Sequence, residues 1–275
     1  MRSASVTQHE NQDDPIGNHP LKQVFDLGVK YDTDKNRTIN YRMNMTEGIT
    51  IQFWLKKDAF TTAGTDKEVI LDLWNGNEQG EHNYGRLTLE LSGGLSNSTP
   101  TATVFLTLMS GAFGISNEAI CETTYNAASV ANGQWQHHTI TAKAANSNLN
   151  VKYYNNGLLN KANSFSTTRN LLDVPNNING YIGCLQTASF ADHSAYHQTS
   201  MLGYGKLSAS MDDFRFWKTS LDNEYIYNTW YYPVGGGSNT DDYRTNLGVY
   251  YKFNEGITGT SSVDSVVLDY SGRIA

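Results

Sequence analysis

Apolar and polar residues alternate in one short run after another along this chain, and that pattern restricts its fold more than any other feature. Ile49-Thr50-Ile51-Gln52-Phe53-Trp54-Leu55-Lys56 alternates cleanly, and Arg86-Leu87-Thr88-Leu89-Glu90-Leu91 does the same. A period of two puts every second side chain on one face of a strand. Val69 to Trp74 is a short apolar strand closed by Asn75-Gly76, and Thr101 to Leu108 is β-rich throughout. Trp135 to Ala142 and Leu149 to Tyr154 continue the series, the latter ending at Asn155-Asn156-Gly157, a strong hairpin signal. Tyr181 to Gly183 and Gly203 to Ser210 lead into one more strand. Helical periodicity is almost absent. Short strands with turn signals between them predict an all-β, two-sheet antiparallel sandwich.

Met211-Asp212-Asp213-Phe214-Arg215-Phe216-Trp217 reads as the closing strand, with Phe214 and Phe216 on one face and Asp213, Arg215 and Trp217 on the other. Ser220 precedes Asp222 and Glu224, which suggests a short helix with Ser220 as N-cap. Residues 1–20 carry no periodic signal and read as an arm or the end of a preceding unit. The Gly-rich stretch 234–246 reads as a linker.

With 17 Tyr, 10 Phe and 5 Trp against only 17% charged residues, the composition suits half-buried pleated surfaces. A net charge of -7 argues against a nucleic-acid surface, which needs a basic patch. Apolar runs are too short to cross a bilayer as a helix, and the first residues lack the apolar core of a signal peptide. A natural start at Met1 would imply cytosolic synthesis and an outside location reached by lysis or assembly into a particle. Cys121 and Cys184 have no metal-ligand spacing, and both a disulfide and two buried thiols stay open.

The alternating segments also resemble, in order, the phrases of laminin-G-like (concanavalin-like) jelly-roll domains over about residues 24–230. Phe25-Asp26-Leu27-Gly28 is similar to the family's opening, Ile51 to Trp54 and Trp135 to Ile140 to its inner strands, and Val151 to Gly157 to its hairpin. Tyr181 to Gly183 and Met211 to Glu224 complete the series. The resemblance implies a jelly-roll over 21–233. Leu247 to Gly256 with Val267 to Gly272 resembles a phrase that opens a domain, so 247–275 is expected to begin a second module.

Candidate chemistry is sparse. Glycosidases of related fold place carboxylates as Glu-x-Asp-x-x-Glu on one strand face, and no Glu here is followed by x-Asp. Asp32-Thr33-Asp34-Lys35-Asn36 begins like an EF-hand, but Arg37 and Met43 replace the Gly and Glu that the loop requires. His137 and His138 are neighbours in a strand and face opposite ways, while His193 and His197 with Asp192 lie in a loop. All four are read as structural. Neither a Gly-x-Ser-x-Gly elbow nor a phosphate-binding glycine loop occurs. The reading is therefore non-enzymatic.

Two binding features remain. Relatives within the resembled family hold calcium at the sandwich rim, which implies Asp26 and Asp212 as ligands. Tyr225, Trp230, Tyr231 and Tyr232, with Tyr227, follow the closing strand and suit either stacking on sugar rings or packing against a neighbouring subunit. The chain also resembles virion proteins of tailed marine phages. That implies a structural component of a bacteriophage virion, in capsid decoration, neck or tail, with other virion proteins, copies of itself and host-surface glycans as partners. The alternative is a calcium-dependent carbohydrate-binding module of a secreted bacterial protein, located outside the cell. Neither nucleic acid nor membrane is expected as a partner.

Overall fold

The computed structural model describes residues 6–7, 41, 43–60, 67–77, 84–93, 102–166, 178–186, 205–234, 246–254 and 267–271. Within them the strands are β1 (Val6–Thr7), β2 (Ile49–Lys56), β3 (Lys67–Trp74), β4 (Gly85–Ser92), β5 (Val104–Ser110) and β6 (Phe113–Ala119). They continue as β7 (Trp135–Ala145), β8 (Asn148–Asn155), β9 (Leu158–Ser166), β10 (Asn179–Ile182), β11 (Ser210–Trp217) and β12 (Leu247–Tyr251). Two short helices, α1 (Ala127–Val130) and α2 (Asn223–Thr229), interrupt the series.

The strands form two six-stranded sheets, in the orders β1-β10-β3-β4-β5-β6 and β12-β11-β2-β7-β8-β9, and every pairing is antiparallel. This is the expected jelly-roll-like sandwich. Alternation decides what lies between the sheets: Leu87, Leu89 and Leu91 of β4 meet Ile49, Ile51, Phe53 and Leu55 of β2 in one core. Val104, Leu106, Ile140, Val151, Phe214 and Phe216 join them. Each such side chain contributes about 1.5–3 kcal/mol relative to exposure. The β8–β9 hairpin closes on two residues, Asn156 and Gly157, both at positive φ (48° and 76°), as a twist-matched tight turn requires.

Three local readings are corrected. The N-cap of α2 is Asp222, not Ser220: the Asp222 carboxylate accepts from the Tyr225 N–H at 2.7 Å, while the Ser220 N–H donates to the Glu47 carbonyl at 3.0 Å. Strand β11 is not regular through its acidic pair. Its register against β2 shifts between Asp212 and Arg215, with Asp213 at a φ of 50°, so strict alternation fails there. Leu247–Tyr251, read in sequence as the opening of a further unit, is hydrogen-bonded along β11, and Val249 and Tyr251 sit in the common core.

The outward faces are unusually closed. On the first sheet Asp72, Arg86, Thr88 and Glu90 are buried although they point away from the core. Arg86 donates to both Asp72 oxygens, at 3.0 and 2.9 Å, and the Thr88 hydroxyl and the Gln186 N–H donate to the same carboxylate. Four donors around one buried carboxylate meet the condition under which a dry ion pair is tolerated. Cys121 and Cys184 are free and buried, and burial pushes both thiols up from their ordinary range.

Candidate ligand-binding surface

The outward face of the second sheet carries a small apolar core of its own. Trp217 of β11, Tyr154 of β8, and Leu247 and Tyr250 of β12 pack beneath Leu221 and the α2 residue Ile226. Two polar anchors fix this cover. Thr50 Oγ1 accepts from the Leu221 N–H at 2.9 Å, and the Tyr154 hydroxyl donates to Asn223 Oδ1 at the start of α2. Trp217 is tied down in turn, its Nε1–H donating to Gln52 Oε1 at 2.8 Å.

After α2 the chain turns across the sheet. Trp230 lies against Trp54 and His137, with ring centroids 5.5 and 5.8 Å apart. The Arg215 guanidinium, buried itself, donates to the Tyr232 carbonyl at 2.9 Å and to Asp213 Oδ2 at 3.2 Å. The Tyr250 hydroxyl donates to the other Asp213 oxygen at 2.7 Å. Tyr231 and Tyr232 therefore leave a backbone held at both ends. Their rings sit 4.3 Å apart at 37°, and they are 52% and 57% exposed. Tyr227 on α2 is 59% exposed.

The predicted aromatic group thus divides in two. Tyr225, edge-on to Trp217 at 6.1 Å, and Trp230 are supports. Tyr231 and Tyr232, with Tyr227, are exposed. Residues that sequence reasoning missed carry the supports: Trp54 and His137 pair across β2 and β7 and share the outward face, and Arg215 reaches back from the bulge. Alternation signals the first two, since both occupy outward positions of their strands. Trp135, the first residue of β7, is 45% exposed.

Electrostatics here are quiet. Burial, then Arg215, then His138 hold the His137 imidazole well below its ordinary range, so it is a neutral ring. The Tyr250 hydroxyl is pushed up to about 12, mostly by burial and then by its bond to Asp213.

Of the predicted calcium pair, Asp26 lies outside the described residues. Asp212 is exposed, its Oδ1 accepts from the Asp213 N–H at 2.8 Å, and partial desolvation by the neighbouring chain, first among the causes, raises its carboxyl from the ordinary range. Asp213 is committed to Tyr250 and Arg215, so one carboxylate of the acidic pair faces outward. No group of three His, Cys, Asp or Glu suited to a metal occurs among the described residues. Asp32 to Asn36 of the EF-hand-like stretch and the His193–His197 loop also lie outside them, whereas Met43, at the position of the EF-hand Glu, is buried in the core.

No protein-family model matches the chain, and no curated protein matches it in sequence. Among solved structures it is similar to a candidate carbohydrate binding protein from Bacteroides ovatus ATCC 8483, at 15% identity and a TM-score of 0.45 over 83% of this chain. The match spans 50% of that protein's length. It is also similar to domains LG4-5 of the mouse laminin alpha1 chain (11% identity, TM-score 0.39, 66% of this chain and 40% of that one). A third is the CBM40 of the Ruminococcus gnavus IT-sialidase bound to alpha2,3 sialyllactose (12%, TM-score 0.38, 67% and 83%). No residue role is carried over from any of them. No described helix is long and apolar enough to cross a membrane.

Proposed function

We propose that this chain is a non-catalytic glycan-binding module whose ligand stacks on Tyr231 and Tyr232. The observation that carries the reading is the exposed tyrosine pair on a backbone fixed by Arg215 and by Trp230. An amphipathic ring, apolar on its face and polar at its hydroxyl, suits a sugar that presents C–H groups on one side and hydroxyls at its rim. Prior fixation of the backbone lowers the ordering cost of binding.

A glycan array followed by calorimetry tests this. Tyr231→Ala and Tyr232→Ala are expected to weaken binding at least tenfold without lowering the melting temperature, whereas unchanged affinity in both would remove the site. If the substitutions leave binding intact but change the mass of the particle in solution, the patch is a subunit interface. Calcium at Asp26 and Asp212 is proposed as a separate rim site, tested by repeating the titration with a chelator and with Asp212→Asn.

As the setting of the module we propose a phage particle, on the sequence resemblance alone. Stoichiometric peptides of this chain in purified particles would support it, and peptides confined to the cell-wall or medium fraction would favour the secreted alternative.

A further inference from the structure

Across the outward face of the first sheet, four adjacent strands bring an amine, a carboxylate and a carboxamide into line. Lys67 opens β3, and its Nζ lies 3.3 Å from Glu90 Oε2 on β4. The same nitrogen contacts Asn117 Oδ1 on β6. The Phe105 ring of β5 sits beside it, 4.6 Å from Nζ to centroid. The Glu90 side chain is fully buried and that of Lys67 is 12% exposed. Asn117 is held in place by its own backbone. At the irregularity in the β5–β6 register its φ is 56°, and its N–H donates to Thr107 Oγ1 at 2.9 Å.

An ion pair alone would explain Lys67 and Glu90. It does not explain why the amine nitrogen also rests against a carboxamide whose carbon is one bond beyond the contacted oxygen. Amine, acyl carbon and a proton carrier are the complete set of parts for amide exchange, and nothing further has to be supplied. We propose that Lys67 and Asn117 join in an intramolecular isopeptide bond, with Glu90 as proton carrier.

Glu90 takes one proton from the Lys67 ammonium, and the freed lone pair attacks Asn117 Cγ. A second N–H proton passes through Glu90 to Nδ2 as the Cγ–Nδ2 bond breaks and the Nζ–Cγ bond remains. The nitrogen departs as ammonia and leaves the site as ammonium with the proton first held by Glu90, which returns to its carboxylate. Charge and atoms balance without any oxidant or cofactor. Fixed geometry is what makes an otherwise slow exchange between unactivated groups accessible, and the neighbouring ring limits the water that would compete. The product would tie β3 to β6 across β4 and β5, bridging positions 50 residues apart in the chain.

Intact mass of the full chain under denaturing conditions tests this, with a protease map of the same sample. The expected mass is about 17 Da below that calculated from the sequence, the mass of one ammonia, and the map should contain a branched peptide joining Lys67 to Asn117. Lys67→Arg, Asn117→Ala and Glu90→Gln chains should each keep their full calculated mass. A folded wild-type chain at full mass overturns the proposal. So does an ammonia loss that maps elsewhere, such as a succinimide at Asn156-Gly157. A branched peptide in the Glu90→Gln chain at wild-type yield would overturn the role of Glu90. If any variant fails to fold, the wild-type map still decides whether the bond exists.

Discussion

The Trp230 indole occupies the space that a side chain on Gly157 would need: a Cβ built there would lie 2.2 Å from Trp230 Cδ1. A tight turn at the end of one hairpin thus sets the seat of the ring that backs the tyrosine pair.

Gly157→Ala should therefore both strain the turn, at a φ of 76°, and unseat Trp230. Gly76 is the matched control, because its φ is 83° and nothing lies within 4 Å of its added Cβ. We expect Gly76→Ala to cost about 1 kcal/mol and Gly157→Ala about 2 kcal/mol more. Urea unfolding compares them, and equal losses would refute the packing argument.

Helix α2 gives a second contrast. Asp222→Ala removes the acceptor of the Tyr225 N–H and should cost about 1 kcal/mol. Ser220→Ala, at the position that sequence favoured as the cap, should change stability by under about 0.5 kcal/mol. Chemical denaturation of the two variants side by side checks the order.

Acid sensitivity follows from two neutral imidazoles. Burial lowers His138 from 6.5 to about 3, and His137 is lowered well below 6.5 as well. The folded chain keeps them unprotonated, while the unfolded chain takes up protons as the pH falls through 6.5. Stability present above that value is lost on acidification, for His138 down to about 3. The slope is about 1.4 kcal/mol per pH unit for each ring once the pH is well below 6.5. Unfolding free energies measured between about pH 7 and pH 5, with His138→Gln as comparison, should show the slope reduced in the variant. An identical slope would assign the acid sensitivity to other groups.

Asp72→Asn should be among the costliest single changes on the first sheet. It leaves Arg86 fully buried without its carboxylate, and breaking such a pair costs about 3–5 kcal/mol. Replacing Asp72 and Arg86 together with Leu and Met should recover much of the loss, which a thermal melt of the single and double variants would reveal.

Much of the fold was legible because one-sided burial writes alternation into the chain. Strands β2, β4, β7 and β8 and the Asn156-Gly157 turn all announce themselves that way. Strand β9 does not, since it lies at a sheet edge and leaves Leu158 and Leu159 exposed beside polar residues. Strand β6 is masked by its irregular register and by Gly114 at a φ of 131°. For the candidate surface, the aromatic residues were evident but their division was not. Whether a tyrosine supports or faces outward depends on how Arg215 and Gly157 steer a non-repeating segment. Lys67, Glu90 and Asn117 meet only because β3 to β6 are neighbours, which no local pattern encodes.

The stack that seats Trp230 also makes the chain its own optical reporter. Trp230 lies 5.5 Å from Trp54, 5.8 Å from His137 and 5.4 Å from Tyr231. A molecule that covers Tyr231 changes the polarity around an emitter one ring away, and excitation of the exposed tyrosines drains into that indole. Occupancy of the surface would thus be written in the colour and yield of the protein's own fluorescence, with no label attached.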